Sequence, residues 1–401
     1  MSTIPTTPGR RSVAGCRYPL AASNLGPEER DALRRVIESG SFTMGAGVAE
    51  FERRFAKRFG VRHALLVNSG SSANLVGIAS LFFRKESPLR RGDEVIVPCI
   101  AWATTYYPLL QYGLKLRFVD VDLETLTYDI AALTAAVSGR TRVIVAVNVL
   151  GNPCDFDPIL ELCRQRGIIL FEDNCESLGA RYGGRSTGTF GLIGTCSTFY
   201  SHQLTTIEGG LILTDDYEIA CLARSLRNHG WTRDQDAGST IFEKSAEDLA
   251  EGYRFILPGY NVRGTELQAA VGIEQLEKFD GFLEIRRRNA RHFRERFGDD
   301  QRFILQKENG ESSWFSFTMI VRPGCGLTRR RVFEALRAAA IDFRIITGGN
   351  FLRHEVIRHF DYEASGCRNA DLAHDNGFFV GNYAADLREE IDHLWQTLQR
   401  L

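Results

Sequence analysis

Lysine is the residue this sequence most conspicuously runs short of. The 401 residues include only six, Lys57, Lys85, Lys115, Lys244, Lys278 and Lys307, and none lies between Asp173 and Gly210. Cysteine pairs at metal or redox spacing are also missing. The nine cysteines are scattered, odd in number and form no C-x-x-C, which argues against a disulfide framework and for the reduced thiols of a cytoplasmic protein. No apolar run approaches the ~18 residues of a membrane helix, so no membrane span is expected. Residues 1–17 lack an apolar signal-peptide core, are dominated by Pro, Thr, Ser and Arg, and read as a mobile N-terminal arm. A strong positive charge is absent too: the formal net charge is -1, which argues against a nucleic-acid binder built on phosphate neutralisation. No internal repeat or low-complexity stretch appears.

What the chain does have is enough length and hydrophobic content, 44%, for a large core in one two-lobed subunit. Short β-branched runs alternate with helical stretches through the first two thirds. The pattern predicts strands over Ala64–Val67, Glu94–Val97, Leu116–Val119, Arg142–Val147, Ile168–Phe171, Thr198–Tyr200 and Leu211–Thr214. Helices are expected over Ala73–Phe83, Thr104–Gln111 and Asp157–Arg166. Repeated β-α units mean a mostly parallel sheet, here of seven strands, covered by helices on both faces, an α/β fold. Leu267–Phe297 has apolar spacing near 3.6 with Gly298 as a stop signal, and connects to a smaller C-terminal α/β domain. In that domain a strand is expected over Trp314–Val321, a helix over Arg329–Ala339, a short strand over Ile341–Ile345 and a terminal helix reaching Leu401. The expected division is an arm over 1–17, a large domain over 18–265, and connecting helices with the small domain over 266–401.

Several short stretches carry chemistry. In Asn68-Ser69-Gly70-Ser71-Ser72-Ala73-Asn74, a strand gives way to a helix whose first N–H groups and hydroxyls suit an anion such as a phosphate. An ordinary Ser N-cap reads the same way. Asp173 closes an apolar strand, where a carboxylate points into the crevice in which open α/β sheets bind ligands, although a turn Asp would fit equally. Glu176 could orient the site or face solvent. Trp102, between a strand and a helix, could stack on a planar ligand or sit in the core. Ser197 and Asn261 are plausible phosphate partners or ordinary turn residues. His202 shares the Gly-flanked loop Ser201-His202-Gln203-Leu204-Thr205-Thr206-Ile207-Glu208-Gly209 with several hydroxyls and a carboxylate. An imidazole, with an ordinary pKa near ~6.5, suits proton transfer at neutral pH.

At these residues the chain resembles the sugar aminotransferase/dehydratase family known as DegT/DnrJ/StrS, from about Tyr18 to the C-terminus. Further matching blocks are Gly40-Ser41-Phe42-Thr43-Met44-Gly45, Asn148-Val149-Leu150-Gly151-Asn152-Pro153, His229-Gly230-Trp231-Thr232-Arg233, Leu257-Pro258-Gly259-Tyr260-Asn261-Val262-Arg263 and Glu311-Ser312-Ser313-Trp314-Phe315. The resemblance implies fold type I of the pyridoxal phosphate (PLP) enzymes, the aspartate-aminotransferase fold. It implies that Gly70, Ser71 and Ser197 hold the cofactor phosphate and that Asn261 reaches the phosphate in a neighbouring subunit, which requires a homodimer. It places Trp102 over the ring, Asp173 on its nitrogen and Glu176 near its substituents. His202 stands where most of the family has the lysine that tethers PLP.

A histidine cannot form that tether, so the resemblance implies non-covalent PLP and its amine form, PMP, and a 3-dehydratase rather than an aminotransferase. The implied substrate is a nucleotide-linked 4-keto-6-deoxyhexose of the GDP-mannose type. The amino group of PMP would take up the C4 ketone, His202 would move the proton, the C3 hydroxyl would leave, and a 3-deoxy-4-keto sugar and ammonia would be released. L-glutamate would then restore PMP. One alternative is an iron–sulfur-dependent 3-dehydratase acting on a CDP- or TDP-sugar. Those relatives also carry His for Lys but need clustered cysteines. Cys175 could match one, yet residues 225–250 contain none, so no iron–sulfur cluster is expected. A sugar 4-aminotransferase is disfavoured by His202. A non-catalytic regulator is disfavoured by the intact phosphate cup, Asp173 and His202.

Overall fold

The computed structural model describes residues 15–236, 238–243 and 251–401. Most of the arm expected over 1–17, and Lys244, therefore lie outside the described residues. The strands, in chain order, are β1 (His63–Val67), β2 (Glu94–Pro98), β3 (Lys115–Val119), β4 (Thr141–Val147), β5 (Ile169–Asp173), β6 (Arg181–Tyr182), β7 (Arg185–Ser186), β8 (Ile193–Ser197), β9 (Gly210–Thr214), β10 (Phe303–Leu305), β11 (Ser316–Val321), β12 (Phe343–Arg344), β13 (Tyr362–Ala364) and β14 (Gly377–Gly381).

The large sheet runs β1-β9-β8-β5-β4-β2-β3-β13. Only β9 opposes the rest. It pairs antiparallel with both β1 and β8, so β1 points the same way as β8, β5, β4, β2, β3 and β13. The carboxyl ends of β1, β2, β5 and β8 therefore lie along one edge, where such sheets bind ligands. Alternation along the strands builds the layers. In β1, Leu65 and Val67 pack with helices Gly70–Phe83 and Tyr217–Leu226 on one face. Ala64 and Leu66 pack with helices Ala46–Phe59 and Glu266–Phe297 on the other. Further along that second face, Ile96, Ile144 and Leu170 meet helix Phe156–Arg166.

Seven strands come from residues 63–214, as the patterning implies. The eighth, β13, comes from the C-terminal third and extends the sheet beside β3, with Tyr362 opposite Leu116. Such a pairing has no local signal. The expectation of a strand over Thr198–Tyr200 is corrected: the strand is Ile193–Ser197, and only Thr198 prolongs its pairing, donating its N–H to Gly209 O at 2.9 Å. The strand is hard to see because it is short of bulky residues. A Cβ at Gly194 would strike the Gly188 carbonyl, so crowding dictates small side chains there. The connecting helix is one continuous element, Glu266–Phe297, opened by a Thr265–Gln268 capping box and ended at Gly298.

The second sheet runs β10-β11-β14-β12, all antiparallel. One face, with Phe317, Met319, Phe378 and Val380, packs on helix Arg388–Gln399 and on Phe293 and Phe297 of the long helix. Tyr18 is buried in the same cluster and donates its hydroxyl to Gly381 O at 2.5 Å, while the Arg17 and Tyr18 N–H groups both donate to Ala340 O. The beginning and end of the described chain thus share one core. No helix among the described residues is long and apolar enough to cross a membrane.

Candidate active site

The site is built from four strand ends. After β1, Ser69 caps helix Gly70–Phe83, its Oγ accepting the Ser72 N–H at 3.1 Å. Gly70 is required there: a Cβ would sit 2.7 Å from Ser197 Cβ and 2.9 Å from Cys175 Sγ. That close approach brings the helix start, the end of β8 and the turn after β5 to one point. Ser71 Oγ donates to Thr104 Oγ1 at 2.9 Å, joining this helix to the one that follows Trp102. Trp102 itself is 59% exposed at the first turn of helix Ala103–Gln111, so the core reading of this residue does not hold.

Asp173, at the end of β5, is only 5% exposed and firmly held. Its Oδ2 accepts from Asn74 Nδ2 (2.8 Å) and Thr105 Oγ1 (2.7 Å), and its Oδ1 accepts the Cys175 N–H (3.1 Å). Asn74 is oriented in turn by Thr195, whose hydroxyl donates to Asn74 Oδ1 at 2.6 Å. Three bonds of this kind hold a buried carboxylate in one orientation. The roles of Asn74, Thr105 and Thr195 have no signal in the sequence. The first two lie inside the motifs of Gly70 and Trp102, but nothing in their spacing reveals which group they hold.

Glu176 turns inward rather than to solvent. Its Oε2 accepts the Leu150 N–H at 3.0 Å. Burial pushes its carboxyl up to about 7; the Leu150 N–H pulls the other way, and nearby Asp173 adds to the rise. The Glu176 carbonyl accepts from Gln203 Nε2 at 2.6 Å, which ties it to the neighbour of His202.

The His202 loop hangs between β8 and β9. Thr198 and Thr206 close it with a backbone bond of 2.9 Å and a hydroxyl contact of 2.6 Å, and Gln203 anchors it further by donating to Ser313 Oγ. The ring of His202 is treated differently. It meets the edges of Phe315 and Phe199 at centroid distances of 5.1 and 5.7 Å, and its buried Nδ1 has no hydrogen-bond partner. Burial, and after it the Arg286 guanidinium, push the imidazole down to about 3. It is neutral at physiological pH, with a free ring nitrogen. The role of Phe315 has no signal in the sequence, and Arg286 stands in a run of three arginines with no sign that only one turns inward.

Asn261 makes no side-chain hydrogen bond to the other candidates among the described residues. It is exposed on the segment that bridges to Asn228, with its neighbour Val262 accepting the Asn68 N–H at 2.9 Å.

A buried carboxylate, a helix N-terminus with small hydroxyl residues, an exposed indole and an imidazole thus lie at or just beyond the carboxyl ends of the sheet strands. A model of the DegT/DnrJ/EryC1/StrS aminotransferase family matches residues 23–399. The chain belongs to that family. Within it, the chain is 47% identical over 385 residues to a GDP-4-keto-6-deoxy-D-mannose 3-dehydratase of Escherichia coli O55:H7, covering 95% of this chain and 99% of the relative. The solved E. coli enzyme with bound hydrated PLP superposes with a TM-score of 0.94, at 47% identity over 96% of this chain and 99% of that one. A GDP-4-keto-6-deoxymannose-3-dehydratase with a trapped PLP-glutamate geminal diamine superposes equally well, at 0.94 and 47%, covering 95% of this chain and 100% of that one. The fold is therefore that of the fold-type-I PLP enzymes.

Proposed function

We propose that this protein is a PLP/PMP-dependent 3-dehydratase that removes the C3 hydroxyl of a GDP-linked 4-keto-6-deoxyhexose and uses L-glutamate to regenerate PMP. The observation that carries this reading is His202: a neutral imidazole with an unpartnered ring nitrogen, in a site otherwise furnished like an aminotransferase.

The residues present fit the cofactor. Gly70 lets the helix N-terminus pack closely on Ser197 and Cys175, which sets its first N–H groups beside the hydroxyls of Ser71 and Ser197, a cup that would hold the phosphate. Asp173, fixed by Asn74 and Thr105, holds the proton on the ring nitrogen. Trp102 would cover the ring, and Glu176, whose carboxyl burial pushes up to about 7, would sit near the ring substituents. When bound, the cofactor supplies an amino group for the substrate ketone and an electron-accepting ring. His202 would accept a proton at Nε2, the ring nitrogen that is not sealed off as Nδ1 is, because burial, and after it Arg286, keeps the ring neutral; the same nitrogen would then return the proton to the departing C3 hydroxyl, which leaves as water. No lysine side chain lies between Asp173 and Gly210 to capture PLP. The cofactor is thus held without a covalent bond, and the partition favours loss of oxygen over retention of nitrogen. The exposed Asn261 acts on the phosphate of a second subunit, which makes the working unit a homodimer.

The test is to incubate purified protein with PLP, L-glutamate and GDP-4-keto-6-deoxymannose, with CDP- and TDP-linked 4-keto-6-deoxyhexoses in parallel. Ammonia and a 3-deoxy-4-keto product from the GDP sugar are expected. Preference for a CDP- or TDP-sugar would move the substrate assignment, and an amino sugar would overturn the reaction. Sedimentation of the same preparation as a monomer would remove the role given to Asn261.

A further inference from the structure

The long helix Glu266–Phe297 buries one cation against the site. Arg286 has no exposed surface, and no carboxylate among the described residues forms an ion pair with it. Its Nη1 donates to Asn382 O and, at longer range, to Phe315 O (3.3 Å) and Trp314 O (3.5 Å). Its Nη2 donates to His202 O at 3.4 Å. Asn382 returns the contact, its Nδ2 donating to Arg286 O (3.2 Å) and Trp314 O (2.8 Å). One side chain therefore joins the long helix, the loop that carries the imidazole, the Trp314-Phe315 turn whose ring packs on that imidazole, and the end of β14.

An unpaired buried charge is costly, and carbonyl dipoles solvate it without cancelling it. If the fold needed only donors for these carbonyls, a neutral amide would serve at lower cost. The uncancelled charge acts on the imidazole of the loop it grips. Among the described residues, Arg286 is the one charged group whose effect on that ring is resolved; Asp173, Cys175 and Glu176 lie at the end of β5 and on the turn after it, the strand beside β8. Arg287, next along the helix, is turned away, donating to Ser312 O and Gly179 O and pairing with Glu311. Phe199 and Phe315 supply the remaining contacts.

We infer that Arg286 is a positioning residue for His202: it fixes the loop through the His202 carbonyl, and its uncancelled positive charge adds to burial in opposing a second positive charge on the imidazole. The consequence for catalysis rests on His202 being the base of the proposed reaction; the consequence for its charge state does not.

The decisive experiment is an NMR titration of the histidine ring signals in the cofactor-free protein, with His202 assigned by its loss in His202→Asn. Wild type is compared with Arg286→Met, Arg286→Gln and Arg286→Lys. In wild type the His202 signal should stay neutral below pH 5. In Arg286→Met it should titrate at least about one unit higher, a tenfold change in protonation, and turnover should gain an acid limb at that same pH. Arg286→Gln, which keeps donors for the carbonyls but not the charge, should show the same shift even if the Met variant fails to fold. Arg286→Lys should restore the low midpoint. A wild-type His202 that titrates near 6.5, or a folded Arg286→Gln with an unmoved midpoint, would overturn the inference and leave Arg286 a purely structural knot. Either result is readable whether or not the protein proves to be a dehydratase.

Discussion

Asp173 and His202 stand at one crevice and are held in opposite ways. The carboxylate accepts three hydrogen bonds, and one of its donors, Asn74, is itself pinned by Thr195. The imidazole is held by its backbone alone: its loop is laced by Thr198, Thr206, Gln203 and Arg286, while its ring rests on phenyl edges with Nδ1 unpartnered. The difference matches two tasks. A group that must keep one charge and one orientation is surrounded by partners. A group that must take up and release a proton needs a fixed position and a free ring nitrogen. Stability should therefore be concentrated at the carboxylate and turnover at the imidazole.

The sharpest way to break this contrast is His202→Asn. Turnover should fall about 10²- to 10⁴-fold, the usual worth of a general base, with the melting temperature at pH 8 little changed; retention of full activity would remove His202 from the chemistry. Thr105→Val tests the opposite station. It deletes a bond to a buried charge and should cost about 1.5–3 kcal/mol in chemical denaturation. If His202→Asn destabilises the protein as much as Thr105→Val does, the division of labour is wrong.

A smaller effect lies in the pH profile of stability. The folded protein holds His202 near 3, so as pH falls below about 6.5 the unfolded chain gains a proton that the folded one refuses. Stability from this group is fully present above that pH and is lost progressively as pH falls toward 3. Buried Glu172 and Glu176, both pushed up to about 7, tilt the profile the other way between about 4.5 and 7. The informative quantity is therefore the difference between wild type and His202→Asn, in which wild type should lose ground steadily as the solution is acidified. A flat difference would mean that the ring is not desolvated. The smallest change expected is from Ser71→Ala, which removes one half-buried bond to Thr104 and should cost about 0.5–1.5 kcal/mol. A larger loss of PLP affinity than of stability would point to the cup rather than the scaffold.

The same contrast explains what the sequence discloses. β-branched runs such as Val143-Ile144-Val145 must become buried strands, and the Asn68–Asn74 stretch must open a helix after one. His202 is conspicuous because it stands where an amine is expected. The struts are silent: Asn74 and Thr105 are small polar residues whose partner lies about 70 to 100 positions away, and Arg286 looks like Arg287 and Arg288 until the helix is packed. The strand Ile193–Ser197 is hidden because close backbone approach forces Gly194, and β13 because its partner β3 is remote in sequence. Helices Pro27–Ser39, Ala46–Phe59 and Tyr217–Leu226 are amphipathic, and their apolar spacing is visible in the sequence.

The central claim is that an imidazole in the amine's place turns a transaminase-like site into one that removes oxygen. It is tested most directly by the nitrogen and oxygen balance of a single reaction. Wild-type protein, PLP, L-glutamate and GDP-4-keto-6-deoxymannose should yield equal amounts of ammonia and a product that has lost its C3 oxygen and carries no nitrogen at C4. A product that keeps the C3 oxygen and gains an amino group, without free ammonia, would contradict the account.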